Sequence, residues 1–445
     1  MGTLLAGAVP SGGFGSTPSL GRLGYKSPNE KLNIAAVGAG GKGASDIAGC
    51  SGENIVAMAD PDAKRAAKTF TAYPKPAKYK DFRRMFDAES KNIDAVLVSC
   101  PDHMHASAAM WAMERGKHVY CQKPLTRTVW EAQQLTRAAE KYGVATQMGN
   151  QGYSQPGARE ACEIVWHGDI GNVTEVHAWT NRPDPYWPQG PDVVPKEAAV
   201  PDTLDWDAWL GGSEMRPYSR VYVPHNWRAF PDFGCGAIGD MACHILGTPN
   251  MAMRLTAPTS VECIKLEGKA QYTFPYRTAI RFDFPRRGAF PELKLFWYDR
   301  VTAQPKLPGV PEGELLGDDD LNGSLFIGDQ GMLTTGCYGQ HTRLIPAERM
   351  RDYKMPPQVL PRCPGPPEDW VKAHYRDWIR AAKGGVPACS NFSVSGPFVQ
   401  WMLLGVIAMQ VEGKLLWDAQ KMRFTNNERA NRLLKPRFRK GWQFA

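Results

Sequence analysis

Apolar runs and helix-like segments alternate regularly over residues 31–150. Short apolar runs typical of buried strands lie at Leu32–Val37, Ile55–Ala59, Ile93–Ser99, His118–Cys121 and Val144–Met148. Segments with helical spacing lie between them, at Asp62–Phe70, Asp81–Phe86, Ala106–Arg115 and Thr126–Tyr142. This alternation predicts a parallel, doubly wound sheet. Ligands of such sheets bind outside the carboxyl ends of the strands, so polar residues at those ends are the candidates for chemistry.

After residue 151 the pattern changes. A helical segment at Ala158–His167 and a strand-type run at Val173–Trp179 come first, and later β-type runs follow one another without intervening helices, at Val261–Leu266, Thr278–Phe284, Leu293–Trp297 and Leu325–Ile327. This order predicts an antiparallel or mixed sheet. Helical spacing returns at Asp369–Lys383 and in the apolar run Phe398–Val411, which is too short to span a membrane. We therefore predict an α/β domain at 31–150, an α+β domain with a mostly antiparallel sheet at 151–419, and a C-terminal tail at 420–445.

The first strand opens directly into a glycine-rich turn, Gly38-Ala39-Gly40-Gly41-Lys42-Gly43. In a dinucleotide site the first glycine permits the tight turn, the second lets the backbone approach a pyrophosphate, and the third lets the next helix pack on the strand. The phosphates would lie at the helix N-terminus, where unpaired N–H groups favour negative charge. The spacing therefore predicts a Rossmann-type dinucleotide site that includes Gly41 and Lys42.

Asp60 ends the second strand, about 20 residues beyond the first glycine, where an acid binds the ribose hydroxyls of NAD. Its carboxylate would repel the 2′-phosphate of NADP. Lys64 and Arg65 follow in the next helix, but two acids precede them, so we expect them to be partly neutralised. The sequence thus favours NAD over NADP.

A lysine follows the fifth strand in the turn Gln122-Lys123-Pro124. A Rossmann domain with a Lys-Pro turn at this point resembles the glucose–fructose oxidoreductase/inositol dehydrogenase (Gfo/Idh/MocA) family. The resemblance implies that Lys123 lies beside the nicotinamide ring and the substrate hydroxyl, and that the Lys123–Pro124 peptide bond is cis. Family members usually have Glu at the position of Gln122, so this chain lacks a carboxylate that would favour the protonated lysine.

The segment Asp102-His103-Met104-His105 follows the fourth strand. An acid and two histidines could bind a metal, but adjacent loop residues rarely converge without a further ligand, so we expect no metal site. Histidines that cap the next helix or face solvent are the plain alternative. In the resembled family a histidine at the position of His105 lies along the cofactor. We therefore assign His105 to the cofactor wall, together with Ser99 and Asn150.

Asp240 and His244 are four residues apart, which places them on one face of a helix. The pair matches the family pattern Asp-x-x-x-His, and the resemblance implies that both point at the substrate next to Lys123. Histidine titrates near neutrality, which suits a proton relay. We expect Lys123 to withdraw a hydroxyl proton, His244 to orient or relay it, and Asp240 to fix His244. The alternative is an Asp–His pair that only ties the helix in place.

Aromatic side chains on long loops could stack on sugar rings above the cofactor. Tyr186, Trp187 and Trp227 are the candidates, and the plain alternative is that such residues pin the loops to the core. His225 and Arg228 flank Trp227 and are polar enough to hold substrate hydroxyls.

Together these features favour an oxidoreductase that moves a hydride between NAD and a hydroxyl-bearing carbon of a sugar, glycoside or polyol. One alternative is an NAD-dependent glycoside hydrolase that oxidises the sugar transiently, eliminates the aglycone and re-reduces the ring, with His225 or Tyr186 as a second base. Another is an NAD-binding sensor that has kept the fold without catalysis.

Composition agrees with a soluble, two-domain chain: 445 residues, of which 43% are hydrophobic and 22% charged. The net charge of +8 is modest, and its basic cluster near the C-terminus is typical of a solvated tail, so we expect no nucleic-acid partner. The 10 cysteines show no CxxC pair and no zinc-type spacing, so neither a zinc site nor a disulfide framework is implied. We expect a small carbohydrate substrate, no membrane span and a homo-oligomer.

Residues 1–29 are set apart from the fold. Leu4–Val9 resembles the second half of an export signal with an Ala-x-Ala site, but no positive side chain precedes Arg22. The segment is either the remnant of a signal, which would make the protein exported or periplasmic, or a disordered cytoplasmic N-terminus. We slightly favour export.

Overall fold

The computed structural model describes residues 30–444, so the predicted signal remnant at 1–29 lies outside the described residues. Six parallel strands form the first sheet, in the order β3-β2-β1-β4-β5-β6. Strands β1–β6 are Asn33–Val37, Asn54–Ala59, Ala77–Tyr79, Ala95–Val98, His118–Cys121 and Thr146–Met148. Helices α1–α5 alternate with them and are Lys42–Gly49, Ala63–Ala72, Phe82–Glu89, Asp102–Met113 and Val129–Tyr142. The predicted Rossmann-type domain is confirmed.

Local sequence signals set the ends of these helices. Asp62 caps α2 by accepting a hydrogen bond from the backbone N–H of Arg65. Thr128 and Glu131 form a capping box at the start of α5, and Gly143 ends that helix with φ of 60°. Helix α4 begins at Asp102, so the segment we expected to be a loop is instead the first turn of this helix.

Nine strands form the second sheet, in the order β13-β12-β11-β7-β10-β9-β8-β14-β15. Strands β7–β15 are Val173–Trp179, Ser260–Glu267, Arg277–Phe284, Leu293–Tyr298, Gly323–Gly328, Gly331–Thr335, Arg343–Ile345, Leu415–Asp418 and Arg423–Phe424. Only β7 and β10 pair in parallel among these described strands, which confirms the mostly antiparallel prediction. Helices α6–α12 are Pro156–His167, Trp206–Leu210, Cys243–Ile245, Gly247–Ala252, Trp370–Ala382, Phe392–Ala408 and Glu428–Arg432.

Two late helices join the halves of the molecule. Helix α10 packs on the first sheet, where Tyr375 and Trp378 contact the ring of Tyr120. Helix α11 lies beside α5 and beneath the second sheet, and Gly396 leaves room for the close approach of Thr136. Within residues 30–444, no helix combines the length and the apolar character that crossing a membrane requires. The first sheet is therefore covered in part by residues from near the C-terminal end of the chain.

Candidate active site

A cavity of about 540 Å³ lies at the carboxyl end of the first sheet and continues to the second domain. Its volume falls in the range of small-molecule and cofactor sites. The predicted site residues that line it are Gly38, Gly40, Gly41, Lys42, Asp60, Ser99, His105, Gln122, Lys123, His225, Trp227, Arg228 and His244. Residues far apart in the sequence thus surround one space.

The glycine-rich turn has the geometry that a diphosphate requires. Gly38 has φ of 91°, a conformation that favours glycine. A Cβ atom at Gly43 would lie 2.2 Å from the carbonyl oxygen of Gly38, so the third glycine supports the turn without lining the cavity. Gly41 precedes α1, and no side chain caps this helix. The backbone N–H groups of the first turn are therefore free of side-chain caps, as an anion site needs.

Asp60 lines the cavity but also holds the turn. Its Oδ2 accepts hydrogen bonds from the backbone N–H groups of Ala39 at 2.8 Å and Gly40 at 3.0 Å. Its Oδ1 accepts one from the N–H of Asp62 at 2.9 Å. Burial raises the pKa of Asp60, and these three donors act in the opposite direction. The carboxylate therefore holds the glycine-rich turn in shape, a role that the sequence pattern did not predict.

Arg65 lies across the glycine-rich turn. A Cβ atom at Gly41 would be 2.5 Å from a terminal guanidinium nitrogen of Arg65, which also lines the cavity. Asp62 bonds the backbone N–H of Arg65, not its guanidinium. Because no ion pair among the described residues includes Arg65, the predicted neutralisation by the preceding acids is wrong for this side chain.

A buried carboxylate that no motif predicted lies behind Gln122. Asp46 on α1 is fully buried and accepts hydrogen bonds from Ser99 Oγ at 2.7 Å and from the hydroxyl of Tyr375, also at 2.7 Å. Lys42 Nζ approaches the same carboxylate at 2.5 Å. The side-chain amide of Gln122 completes the set. One carboxylate thereby links helix α1, which follows the glycine-rich turn, to the turn at Gln122 and to helix α10.

The predicted lysine stands at the junction of the two domains. The Lys123–Pro124 peptide bond is cis, as the resemblance implied. Lys123 Nζ donates to Asp240 Oδ1 at 2.8 Å and to the Asp240 backbone carbonyl at 2.9 Å. Arg228 Nε donates to the same Oδ1 at 3.0 Å. Burial alone would raise the pKa of Asp240, but Lys123 and Arg228 outweigh it and hold that pKa well below its usual range.

The predicted Asp240–His244 pair is not a hydrogen-bonded pair. Residues Ile238–Ala242 form a π-helical turn, and Asp240 bonds Lys123 and Arg228 instead of His244. The role of Asp240 in fixing His244 is therefore corrected. His244 is buried against the ring of Tyr338, 4.7 Å between centroids, and its Nδ1 has no hydrogen-bond partner in the described part of the chain. Burial holds the pKa of His244 well below its usual value, so its imidazole is neutral.

The two histidines of α4 hold backbone segments. The ring nitrogens of His105 face the carbonyl oxygens of Pro124 at 2.7 Å and Cys100 at 2.8 Å. His103 Nε2 faces the carbonyl of Trp209 at 2.9 Å. Burial lowers the pKa of His105 to about 4. These contacts explain the histidines without a metal, and they tie the Lys-Pro turn to the end of β4.

Several predicted residues lie away from the cavity. Asn150 is fully buried and accepts a hydrogen bond from Ser390 Oγ at 2.6 Å, so the structure does not bring it to the cofactor wall. Trp187 is buried in an aromatic cluster, and Tyr186 is 49% exposed beneath the guanidinium of Arg182. Trp187 pins its loop to the core, as the plain alternative stated, whereas Tyr186 packs on Arg182 of the same loop. Pro124 likewise shapes the turn without lining the cavity.

Two other residues line the cavity although the sequence did not predict that they contact a cofactor or substrate. Asp102 lines the cavity, and its burial raises the pKa of the carboxyl to about 7, against the attraction of Arg228 and Lys123. Tyr338 reaches the cavity from the connection between β12 and β13. No local pattern marks such a residue, because its position depends on how the second domain closes over the first.

Two family models match this chain, one in each domain. Residues 32–150 match an oxidoreductase family described as an NAD-binding Rossmann fold, and residues 177–272 match an oxidoreductase-family C-terminal alpha/beta domain. Inositol 2-dehydrogenase of Serratia proteamaculans (strain 568) is 25% identical over 264 residues, which cover 52% of this chain and 76% of that protein.

Two further relatives differ in coverage. Inositol 2-dehydrogenase of Salmonella agona (strain SL483) is 30% identical over 129 residues, 28% of this chain and 38% of that protein, so the chain spans well under half the length of this relative. The WlbA dehydrogenase of Bordetella pertussis, solved with NADH and UDP-GlcNAcA, is 14% identical with a TM-score of 0.60, covering 87% of this chain and 99% of that one. At such identity the likeness concerns the fold alone.

Proposed function

The chain belongs to the Gfo/Idh/MocA family of oxidoreductases, and on that premise we propose that it transfers a hydride between NAD and a hydroxyl-bearing carbon of a sugar, glycoside or polyol. The observation that carries this proposal is the position of Lys123. This lysine lines the same cavity as the glycine-rich turn and is fixed by Asp240 from the second domain, whose carboxylate also accepts a hydrogen bond from Arg228. A proton acceptor thus lies within one cavity with a dinucleotide-binding turn.

NAD supplies the hydride acceptor when it is bound. The uncapped N-terminus of α1 suits its diphosphate, and Asp60 suits a ribose without a 2′-phosphate. The residues present therefore fit the cofactor.

Lys123 is the general base for oxidation. Its Nζ is oriented by two hydrogen bonds to Asp240, one to the carboxylate and one to the backbone carbonyl. Arg228 donates to the same carboxylate oxygen of Asp240, so the two cationic side chains share one anionic partner. As the hydride leaves the carbon, Lys123 takes the proton of the hydroxyl on that carbon, and in the reductive direction it returns the proton.

The remaining cavity residues position the substrate. His244 lines the cavity, and burial keeps this imidazole neutral, which suits a hydrogen bond to a substrate hydroxyl. Trp227 lines the cavity with the guanidinium of Arg228 4.2 Å from its ring centroid, which gives a flat face flanked by a donor. An apolar face beside hydrogen-bond donors suits a sugar or cyclic polyol.

The redox-neutral hydrolase is not favoured. Of its two predicted second bases, Tyr186 does not line the cavity, and burial lowers the pKa of His225 to about 4, which makes it a weak base. The two sequence relatives described above are named as dehydrogenases.

A substrate panel tests the proposal. The purified chain is mixed with NAD and inositols, aldoses or aryl glycosides, and both NADH absorbance and nitrophenol release are followed. We expect NADH with at least one polyol or sugar, and none with the Lys123→Ala variant. Nitrophenol release without net NADH would instead support the hydrolase. Absence of both products, with no NAD binding by calorimetry, would contradict the proposal.

A further inference from the structure

Two cysteines from the segments on either side of α10 lie next to each other. Cys363 lies in the connection that precedes α10, and Cys389 lies between α10 and α11. Their Sγ atoms are 4.0 Å apart, and both side chains are partly exposed. The sequence shows no CxxC motif here, so this pair follows only from the fold.

A buried arginine stands beside one of the thiols. Arg159 on α6 is only 5% exposed, and its guanidinium donates to Cys363 Sγ at 3.3 Å and to the carbonyl oxygen of Pro361 at 2.7 Å. No carboxylate pairs with Arg159 among the ion pairs of residues 30–444. A buried guanidinium without an acidic partner favours an anion at its free side, and the thiolate of Cys363 is the group in contact.

The remaining neighbours assign different roles to the two sulfurs. The hydrogen bond with Cys389, together with Arg159, lowers the pKa of Cys363 to about 6, although burial opposes this. The hydrogen bond with Cys363 and burial raise the pKa of Cys389 well above the usual value. A thiolate next to a protonated thiol is the arrangement of a nucleophilic and a resolving cysteine.

A metal site is the alternative interpretation of this cluster of two cysteines and one aspartate. Asp377 brings a carboxylate within 4.8 Å of both thiols. However, its Oδ2 accepts from the backbone N–H of Cys389 at 2.7 Å, and its Oδ1 accepts from Arg380 at 2.6 Å. With the carboxylate already engaged and the guanidinium of Arg159 beside Cys363, a divalent cation is disfavoured.

We propose that Cys363 and Cys389 form a redox-active dithiol that a small disulfide of the glutathione type converts to an intramolecular disulfide. The thiolate of Cys363 attacks one sulfur of the oxidant and releases one small thiolate. Cys389 then gives up its proton, and its sulfur attacks Cys363 Sγ and releases the second small thiolate. The two cysteines lose two electrons in total, and the oxidant is reduced to two thiols.

The disulfide would close a loop that contains all of α10. This helix holds the nucleotide domain through Tyr375, whose hydroxyl bonds Asp46, and through His374, whose Nε2 faces the carbonyl of Met148 at 2.8 Å. A cross-link between the two ends of this loop would restrict the unfolded chain and so favour the folded arrangement, in which α10 lies on the first sheet. The disulfide would therefore stabilise the position of α10, which contacts α1 beside the glycine-rich turn.

Oxidation of the full chain tests the dithiol. The reduced protein is incubated with oxidised glutathione, free thiols are alkylated, and unreduced peptides are mapped by mass spectrometry. We expect one cross-linked peptide pair joining residues 363 and 389, lighter by two hydrogen atoms than the separate peptides and released by dithiothreitol. In Cys389→Ser we expect glutathione to remain attached to Cys363, and Cys263→Ser, which removes another partly exposed thiol, should behave as the parent.

The same experiment on the parent protein can also contradict the proposal. Alkylation of both cysteines after oxidation, or stable glutathione on Cys363 without a cross-link, would overturn the proposal. Stoichiometric zinc in the purified protein that is lost in Cys363→Ser would also overturn it, in favour of a metal site. Comparison of melting temperatures before and after oxidation then checks the bracing role, for which we expect a higher value that dithiothreitol reverses.

Discussion

The side-chain amide of Gln122 donates to both carboxylate oxygens of Asp46, at 3.1 and 3.0 Å. The resemblance to the family implies a glutamate at the position of Gln122. In this chain the negative charge near the Lys-Pro turn is supplied by Asp46, from α1. An amide at position 122 is then the suitable partner, since it donates to a carboxylate where a glutamate would face one.

Gln122→Glu should therefore destabilise the protein instead of only restoring a family charge. Two carboxylates would meet in a buried site, and one of them would be held protonated. We expect a loss of about 1–3 kcal/mol in the free energy of unfolding at neutral pH. Because the folded-state pKa of the new carboxyl would be raised, the loss should grow as the pH rises above about 4. Urea unfolding of both proteins at pH 4 and pH 8 measures it.

The double variant Asp46→Asn/Gln122→Glu is the matched control, because it exchanges the carboxylate and the amide. It should recover part of the stability lost in Gln122→Glu. If Gln122→Glu were as stable as the parent at both pH values, the Asp46–Gln122 contact would not carry the energetic role assigned to it.

Arg65 should modulate the choice between NAD and NADP. Asp60 repels a 2′-phosphate, whereas the guanidinium of Arg65 at the rim of the glycine-rich turn would attract it. We expect the parent to bind NAD more tightly than NADP, and Arg65→Ala to weaken NADP binding about tenfold or more with little effect on NAD. Calorimetric titration of both nucleotides checks this.

Lys64→Ala is the control for Arg65→Ala, because Lys64 is exposed on the same helix and does not line the cavity. It should leave both affinities unchanged. Tighter binding of NADP than NAD by the parent would show that Arg65, not Asp60, governs the pocket.

The ion pairs of Asp240 predict a loss of stability in acid. Its folded-state pKa lies below the value of about 3.9 expected for an unfolded chain, so its contribution is present above that value and is lost as the pH falls further. Asp240→Asn should be less stable than the parent at pH 6, and the two melting temperatures should converge as the pH falls below about 4. A constant difference between the two proteins across this range would contradict the prediction.

The sequence predicted the elements whose residues carry a local signal. The glycine-rich turn, Asp60 and the Lys-Pro turn follow strands of the first sheet, and in a parallel sheet strand ends fix positions in space. Short or edge strands such as β3 and β15 left no clear pattern, because a few residues cannot show a period.

Contacts between the halves of the chain could not be predicted in this way. Asp46 is an unremarkable helix residue until Tyr375, more than three hundred residues later, folds against it. The expected bond between Asp240 and His244 assumed a regular α-helix, whereas the π-helical turn directs Asp240 to Lys123. Such partners are set by tertiary packing, which a spacing rule does not contain.

The most direct test of the account is the effect of Lys123→Met on binding and on turnover, once a substrate has been found by the panel. Methionine keeps the length and packing of the side chain and removes the proton acceptor. General base catalysis contributes about 10²–10⁴-fold, so we expect kcat to fall by that factor while the Kd for NAD stays within about twofold. A variant that retains near-parental kcat would show that Lys123 is not the base and would contradict the central claim.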